Sequence, residues 1–148
     1  MKYLIALATL LSTTVLVTLV TAAGFPSRVH YINHEKVAAT MVKGGRIIED
    51  DGLTVIANRG VQRGAEMHDK TNHVFIIVDG EADFVTGGKM IDPKVISSGQ
   101  TRGKGLEGGV SRRLSKGDII TIPAGTPHQW KDTSKTGSIT YYAVNIEQ

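Results

Sequence analysis

The sequence predicts an all-β protein, a single antiparallel β-barrel or jelly roll that follows a short N-terminal helix. From residue 45 onward, short apolar and β-branched runs alternate with clusters of glycine, asparagine, aspartate and proline. Short strands at such regular spacing are typical of antiparallel barrels and sandwiches. The length of 148 residues fits one domain. The sequence contains no cysteine, which excludes disulfides and thiolate metal sites.

The first 23 residues predict a signal peptide. Lys2 precedes a long apolar stretch that ends in small residues, so cleavage is expected after Ala22 or Ala23. Residues 24–148 would then form one secreted or periplasmic domain. The alternative is an uncleaved anchor, because the stretch is long enough to span a bilayer, and no other membrane contact is predicted. Its serine and threonine residues favour cleavage.

The chain after this leader begins with a short predicted edge strand at 29–32. Asn33 is a suitable N-cap, and the residues that follow predict a helix over 34–42 that ends at a pair of glycines. His30 and His34 lie in this region, outside any functional motif. Both are predicted to be histidines of the surface or of a sheet edge.

The remaining strands are predicted from apolar alternation between turn residues. They cover 45–49, 53–59, a strand that carries positions 66 and 68, 73–78, 81–86, 110–114, 119–122, 129–131 and 139–146. Residues 90–109 are rich in glycine and predict a long loop, functional or disordered.

The segment around that loop is basic. From Lys89 to Lys116 it carries seven lysines and arginines against Asp92 and Glu107, a local balance of +5. Such a balance either attracts an anionic ligand to the barrel mouth or belongs to a solvated loop. The net charge of the whole chain is only +3, and basic and aromatic residues are not interleaved, so no nucleic-acid partner is expected.

The first candidate site residues are Glu66 and His68. They lie two positions apart, so a strand points both to one face. His73 follows a short polar break and opens an apolar run in which Phe75 and Ile77 share its face. Consecutive strands of this kind can direct all three polar side chains to one point inside a barrel. Phe75 and Ile77 would then form an apolar cavity wall suited to a small organic ligand.

A second stretch adds a fourth group, His128. Pro123, Gly125 and Pro127 form a tight corner directly before it, which presents the imidazole inward. Trp130 shares the face of His128 if the strand is regular. It therefore either lines the cavity or fills the core.

With these residues the chain resembles the cupin superfamily, over residues 52–146. The second cupin motif, at 117–132, is matched by Gly117, Pro123, Gly125 and His128, with Asp132 where the family often has asparagine. The first motif, at 60–80, has the family spacing G-x5-H-x-H-x4-E-x6-G. Glu66 stands at the first histidine position and His73 at the glutamate position, so the ligand set is the same but permuted.

The resemblance implies one divalent first-row metal ion, Fe, Mn, Zn, Ni, Co or Cu, since imidazole and carboxylate suit all of them. In one arrangement Glu66 and the three histidines bind it together, which leaves two positions of an octahedral ion for water, substrate or dioxygen. In the other, His68, His73 and His128 hold the metal and Glu66 is a general base.

Two classes of function follow from the resemblance. The first is a metal-dependent enzyme acting on a small molecule by dioxygenase, decarboxylase, isomerase or lyase chemistry, all of which occur among cupins. The alternative is a non-catalytic protein that binds a small ligand or metal. A homodimer is also expected, because Val74, Ile76 and Val78 form an apolar face opposite His73. That face needs cover from the N-terminal segment or a second subunit.

Overall fold

The computed structural model describes residues 28–133 and 139–148, except for the side chains of residues 132 and 133. The predicted signal peptide lies outside the described residues. Within them the chain forms one helix and thirteen strands. These are α1 His34–Lys43, β1 Gly45–Asp50, β2 Leu53–Arg59, β3 Ala65–His68, β4 Thr71–Asp79, β5 Glu81–Thr86, β6 Lys89–Ile91, β7 Lys94–Ser97, β8 Gln100–Gly103, β9 Gly105–Glu107, β10 Val110–Ser115, β11 Ile119–Ile122, β12 His128–Thr133 and β13 Thr140–Glu147.

The predicted helix is confirmed with its caps. The side chain of Asn33 accepts a hydrogen bond from the backbone N–H of Lys36 at 3.1 Å, which satisfies one free donor of the first turn. The helix ends at Gly44, whose φ of 74° favours glycine. In the described part of the chain, no helix is long and apolar enough to cross a membrane.

The predicted edge strand at 29–32 is wrong, since these residues have no regular secondary structure. Residues 29–32 are attached to the sheet by a side-chain contact and not by backbone hydrogen bonds between strands. Nε2 of His30 lies 2.6 Å from Oδ2 of Asp50, at the end of β1. His30 is therefore a partly buried histidine tied to a sheet edge, whereas His34 is exposed and lies beside Glu35.

The strands form two main antiparallel sheets and a small ribbon. One sheet has the order β1-β2-β13-β4-β11, the other has the order β10-β5-β12-β3-β8-β7, and β6 pairs with β9. Both main sheets contribute to one hydrophobic core, which includes Phe75, Phe84, Trp130 and Tyr141. The fold is the predicted antiparallel jelly roll, with the core between the sheets.

The strands β3 and β4, although consecutive in sequence, lie in different sheets. Glu66 and His68 therefore belong to the six-stranded sheet, and His73 belongs to the five-stranded sheet. The turn at Gly80, with a φ of 74°, likewise joins β4 to β5 of the other sheet and does not close a hairpin. These crossings make the histidines face one another across the space between the sheets.

The prediction of a long loop at 90–109 is wrong, because the segment contains four short strands. β7 and β8 pair with each other, and β8 pairs with β3, so the six-stranded sheet extends past the motif. The ribbon of β6 and β9 contributes Leu106 to a second small core with Ala65 and Val85, and Met90 of the ribbon packs against this core. Glycine permits the close packing here, since a Cβ at Gly103 would lie 2.8 Å from the carbonyl oxygen of Ile91.

Candidate metal centre

One row of polar side chains crosses the inner face of the six-stranded sheet. His128 on β12 is directly opposite Glu66 on β3, and Glu66 is directly opposite Arg102 on β8. Directly opposed residues of antiparallel strands project to the same side of the sheet. The ladder therefore places these three side chains next to one another, and His68 joins them two residues along β3.

A second row crosses the inner face of the five-stranded sheet. His73 on β4 is opposite Asn145 on β13, and Asn145 is opposite Thr54 on β2. The Nδ1 atom of His73 lies 2.8 Å from Oδ1 of Asn145, so the amide oxygen accepts a hydrogen bond from the ring. This contact fixes the orientation of His73 toward the opposite sheet.

The two rows bring three histidines together. One potential ligand atom from each of His68, His73 and His128 lies within 4.8 Å of the others. The ring centroid of His73 is 4.8 Å from that of His68 and 5.2 Å from that of His128. His73 and His128 are 6% and 1% exposed, so water has little access to them. Distances of this kind are compatible with a shared metal ion.

Hydrogen bonds define which nitrogen of two rings is free. Nδ1 of His128 donates to the backbone carbonyl of Thr126 at 2.9 Å, and Nδ1 of His73 donates to Asn145. In a neutral imidazole the other nitrogen, Nε2, then carries a lone pair. The Nε2 atoms of both rings, and Nδ1 of His68, are buried and have no hydrogen-bond partner.

These orphaned atoms are the test of whether the site fits a metal. Leaving a buried polar atom unsatisfied costs about 1–3 kcal/mol, and here three such atoms occur on neighbouring rings. A divalent cation would bind the lone pairs of Nε2 of His73 and His128 together with one ring nitrogen of His68. Contacts from Asn145 and Thr126 to the opposite ring nitrogens are the usual support for metal-binding histidines. The donor set therefore fits the ion that the sequence predicts.

Glu66 lies beside the histidines. Its Oε1 is 3.3 Å from Nε2 of His128, and its Oε2 is 3.6 Å from Nε2 of His68. Nη1 of Arg102 forms an ion pair with the same Oε2 at 2.8 Å. Burial by itself raises the pKa of Glu66. When no metal occupies the histidine nitrogens, a proton on Nε2 of His128 or His68 stabilises the carboxylate, and the charge of Arg102 adds to this, so the lowering outweighs burial. The pKa is held well below its usual range, so the carboxyl is ionised.

The protonation of His73 also suits a ligand. Burial lowers its pKa to about 4, although the hydrogen bond to Asn145 acts in the opposite direction. The ring is therefore neutral at neutral pH, as metal ligation requires.

A cavity of about 320 Å³ opens over the site. Its deep part includes Phe75, as predicted from the sequence, together with Ile56 and Ala143. Ile77 and Trp130, the other predicted cavity residues, lie in the hydrophobic core. Nε1 of Trp130 donates to the hydroxyl of Tyr141 at 3.1 Å there. Polar side chains surround the rest of the cavity, namely Arg46, Thr54, Asn58, Gln62, Thr71, Gln100, Arg102, Asn145 and Glu147.

The Pro/Gly corner before His128 has a second role. The backbone N–H of Gly125 donates to the carbonyl of His68 at 2.7 Å, and that of Ala124 donates to Oδ1 of Asn72 at 3.0 Å. The corner thus ties β3 to the start of β12 and sets His68 and His128 relative to each other. Of Asp132, the last position of the second motif, only the backbone is described.

Sequence reasoning missed the two side chains that support the site, Asn145 and Arg102. Asn145 had a usable signal, because it continues the inward alternation of Tyr141 and Ala143 as a polar residue. Arg102 had none, since its strand was predicted as a loop and its position opposite Glu66 depends on that strand.

Comparison with known proteins agrees with this architecture. A family model described as Cupin matches residues 27–148. No curated protein matches the chain significantly. FeII HppE superposes with a TM-score of 0.52 at 15% identity, over 70% of this chain and 50% of its own. DMSP lyase DddQ of Ruegeria pomeroyi superposes at 0.50 with 18% identity, over 71% and 46%.

A third similar structure is an uncharacterized protein with a double-stranded β-helix domain from Klebsiella pneumoniae. It superposes at 0.50 with 16% identity, over 69% of this chain and 73% of its own. At such identities the likeness concerns the fold alone, and this chain spans about half the length of the lyase and of HppE. The chain belongs to the cupin family, as the match over most of its length shows.

Proposed function

We propose that this cupin binds one divalent first-row metal ion through His68, His73 and His128 and acts on a small organic molecule in the cavity above it. The observation that carries the proposal is that His68, His73 and His128 each have a buried ring nitrogen without a hydrogen-bond partner and bring potential ligand atoms within 4.8 Å of one another. The reaction would be of the dioxygenase, decarboxylase, isomerase or lyase type. The predicted leader makes the compartment extracellular or periplasmic.

The protein's own groups divide the work at this site. A divalent ion held there would polarise a bound oxygen atom as a Lewis acid. Asn145 and Thr126 keep two rings oriented with Nε2 inward. Phe75, Ile56 and Ala143 keep water away from the deep part of the cavity, which strengthens the electrostatic interactions inside. Glu66 is either the fourth ligand or the group that accepts a proton from the bound molecule.

One observation favours the alternative of a non-catalytic binding protein. The pKa of Glu66 is lowered, and an efficient general base has a pKa near the working pH. If Glu66 does not ligate the metal, it is therefore a weak base. The fold does not decide between the two classes, because cupins support many functions. The names FeII HppE and DMSP lyase show only that proteins of this fold include an iron(II)-containing one and a lyase.

Metal content tests the proposal directly. Elemental analysis of protein purified from its native compartment should give about one transition-metal ion per chain. His128→Ala and His68→Ala should each lower this stoichiometry to well below one. His34→Ala is the matched control, because that ring is exposed and remote from the site. Unchanged stoichiometry in both site variants would contradict the proposal.

A further inference from the structure

Resting on the proposed metal site, we infer that its ligand is a small organic oxyanion, a carboxylate or a group of like charge, held at the cavity mouth by Arg102. Arg102 both lines the cavity and contacts Glu66, and 31% of its side chain is exposed. A guanidinium has five N–H donors. The contact with Glu66 uses one nitrogen, Nη1, so further donors remain for a ligand.

The charge around the cavity supports an anion. Arg46 and Arg102 line it together with Glu66 and Glu147, and Arg46 is paired with Glu49 outside the lining, so these five groups sum to a charge of −1. Histidines that ligate a metal are neutral, so a divalent ion would leave one positive charge without compensation at the site. Leaving a charge uncompensated where water is partly excluded is unfavourable. A ligand with one negative charge removes this imbalance.

The position of the positive charge also favours Arg102 as the contact point. Lys94 on β7 is directly opposite Arg102, so two cations continue the row that begins with His128 and Glu66. Among the described residues, Lys94 takes part in no ion pair shorter than 4.0 Å, whereas the nearby Lys104 is paired with Asp92. Arg46, which is paired with Glu49, is 63% exposed, whereas 31% of the Arg102 side chain is exposed. A contact from Arg102 is therefore less weakened by solvent.

The size and lining of the cavity limit the ligand further. A volume of about 320 Å³ holds roughly ten groups of the size of water, which suits a small acid. The amides of Asn58, Gln62 and Gln100 supply additional donors and acceptors. Gln100 lies opposite His68 in the ladder between β3 and β8. An oxygen-rich acid can therefore contact Arg102 and the amides at one end and the metal at the other.

Paired probes of equal size test the inference. The Co²⁺-loaded protein is titrated with glycolate and with glycolamide, and the visible spectrum of the metal reports binding. Both probes carry two oxygens that can reach the metal, but only glycolate is charged. Glycolate should bind at least about 10-fold more tightly, since one charge-assisted hydrogen bond has that magnitude. Equal affinity of the two probes would overturn the inference.

Variants then locate the source of the preference. Arg102→Gln should reduce the preference about 10-fold relative to the wild type and leave the part that the metal charge supplies, whereas Arg102→Lys, which keeps the charge and loses the planar fork, should reduce it less. Arg113→Gln is the matched control, because Arg113 also pairs with carboxylates but lies away from the cavity on β10. Its preference should equal that of the wild type. An undiminished preference in Arg102→Gln, or an equal reduction in Arg113→Gln, would contradict a direct contact.

A double variant that removes both members of the Glu66–Arg102 ion pair separates the effect of Glu66 on anion binding from that of Arg102. Arg102→Gln alone leaves the Glu66 carboxylate uncompensated, and its repulsion could weaken anion binding without any contact from Arg102. Glu66→Gln with Arg102→Gln keeps the net charge of the wild type. The contribution of Arg102 to the preference for glycolate should remain lost in this double variant. Its recovery would show that Arg102 acts only through Glu66, and the inference would fail.

Two measurements distinguish a protein that does not bind the metal from a protein that does not bind the anion. Cobalt content is measured first for each protein, and less than one ion per wild-type chain would count against the proposed function. Calorimetric titration of the metal-free protein with glycolate then tests Arg102 alone. Binding that is lost in Arg102→Gln would support the anion site, and no binding to the wild type would reject it.

Discussion

The two sheets contribute different chemistry to the candidate site. The six-stranded sheet supplies Glu66, His68, His128 and Arg102, which form a charged and mutually paired row. The five-stranded sheet supplies His73, which is oriented by the neutral Asn145 and neighboured by the apolar side chain of Phe75. One wall, the six-stranded sheet, therefore places the carboxylate and its arginine beside the histidines, and the other wall fixes the orientation of His73 and contributes Phe75 to the cavity lining.

This division gives a physical meaning to the permuted motif. The carboxylate stands on the strand beside β8, where Arg102 can neutralise it. At the position of His73 it would lie opposite Asn145 instead, without that arginine as a cross-strand neighbour. The exchange of histidine and glutamate thus keeps the charge of the ligand set but moves the negative charge from one wall to the other.

The largest expected effect comes from reversing that exchange. Glu66→His together with His73→Glu restores the common order of the cupin motif. We expect the double variant to bind metal but to lose native activity, because the carboxylate would then stand opposite Asn145 and no longer opposite Arg102. The measurements are metal content and turnover once a substrate is known. Retention of both would show that the order of the ligands has no functional role.

Metal removal should have the next largest effect, because an ion bound by His68, His73 and His128 would join the two walls. An ion that binds only the folded chain stabilises it by about 2.7 kcal/mol at a hundredfold excess over its dissociation constant. For a domain of this length, chelation should lower the melting temperature by roughly 10 °C. Acidification should release the metal as well, because histidine must be neutral to ligate.

The variant His128→Ala serves as the control for chelation. Its melting temperature should not change when a chelator is added, since the site is already broken. Wild-type protein that melts at the same temperature with and without chelator would show that the site is empty or contributes nothing to stability.

A third prediction concerns the hydrogen bond between the walls beneath the site. The hydroxyl of Tyr141, on β13, accepts from Trp130, on β12, and burial raises the pKa of Tyr141 to about 12. The folded state therefore keeps its proton between pH 10 and about 12, where the unfolded chain loses it. Because the folded pKa is raised, the stabilisation is complete below pH 10 and is lost as the pH rises toward 12.

This loss should amount to about 3 kcal/mol, since each unit of pKa corresponds to 1.36 kcal/mol. The full loss is reached above pH 12, and urea unfolding at pH 9 and pH 11 should show about half of it, roughly 1.3 kcal/mol, because pH 11 lies only one unit above the unfolded pKa. Tyr141→Phe should show a weaker decline over this interval, because it has no phenol to ionise at that position. Tyr142→Phe, on the neighbouring and less buried residue, is the matched control and should decline as the wild type does. Equal declines in all three proteins would contradict the prediction.

The sequence predicted the strands of the core better than the periphery. The bounds of β2, β5 and β11 agree residue for residue with the prediction, because their alternation and turn residues give a local signal. The four strands between residues 89 and 107 are only three or four residues long, and three of them contain or adjoin a glycine. Their pairing depends on contacts with β3 and on the small core under Leu106, which no local pattern contains.

The candidate ligands were also predictable, but their environment was not. His68, His73 and His128 occupy motif positions, and the structure brings their rings together. The sequence could not show that β3 and β4 lie in opposite sheets, because spacing does not determine strand order. Consequently it did not predict the ion pair of Glu66 with Arg102, which arises from the register of β3 and β8.

The smallest effect is expected on the outer face of the five-stranded sheet, which takes no part in the site. Val74, Ile76 and Val78 are half-buried there, and a groove of about 870 Å³ lies between this face and α1. The N-terminal segment and the helix give partial cover, but Val29 and Tyr31 remain 94% and 84% exposed. Large exposed apolar side chains next to an apolar groove favour association.

We therefore expect the mature chain to form a homodimer through this face, with the metal sites unaffected. Light scattering at micromolar concentration should give twice the monomer mass, and Tyr31→Glu should lower it because it places a charge in the apolar contact. Glu35→Gln, on an exposed position of α1 outside the groove lining, is the control and should remain dimeric. The metal content of Tyr31→Glu should equal that of the wild type, because the outer face and the cavity lie on opposite sides of the sheet. A monomeric wild type would leave the N-terminal segment and α1 as the cover of this face.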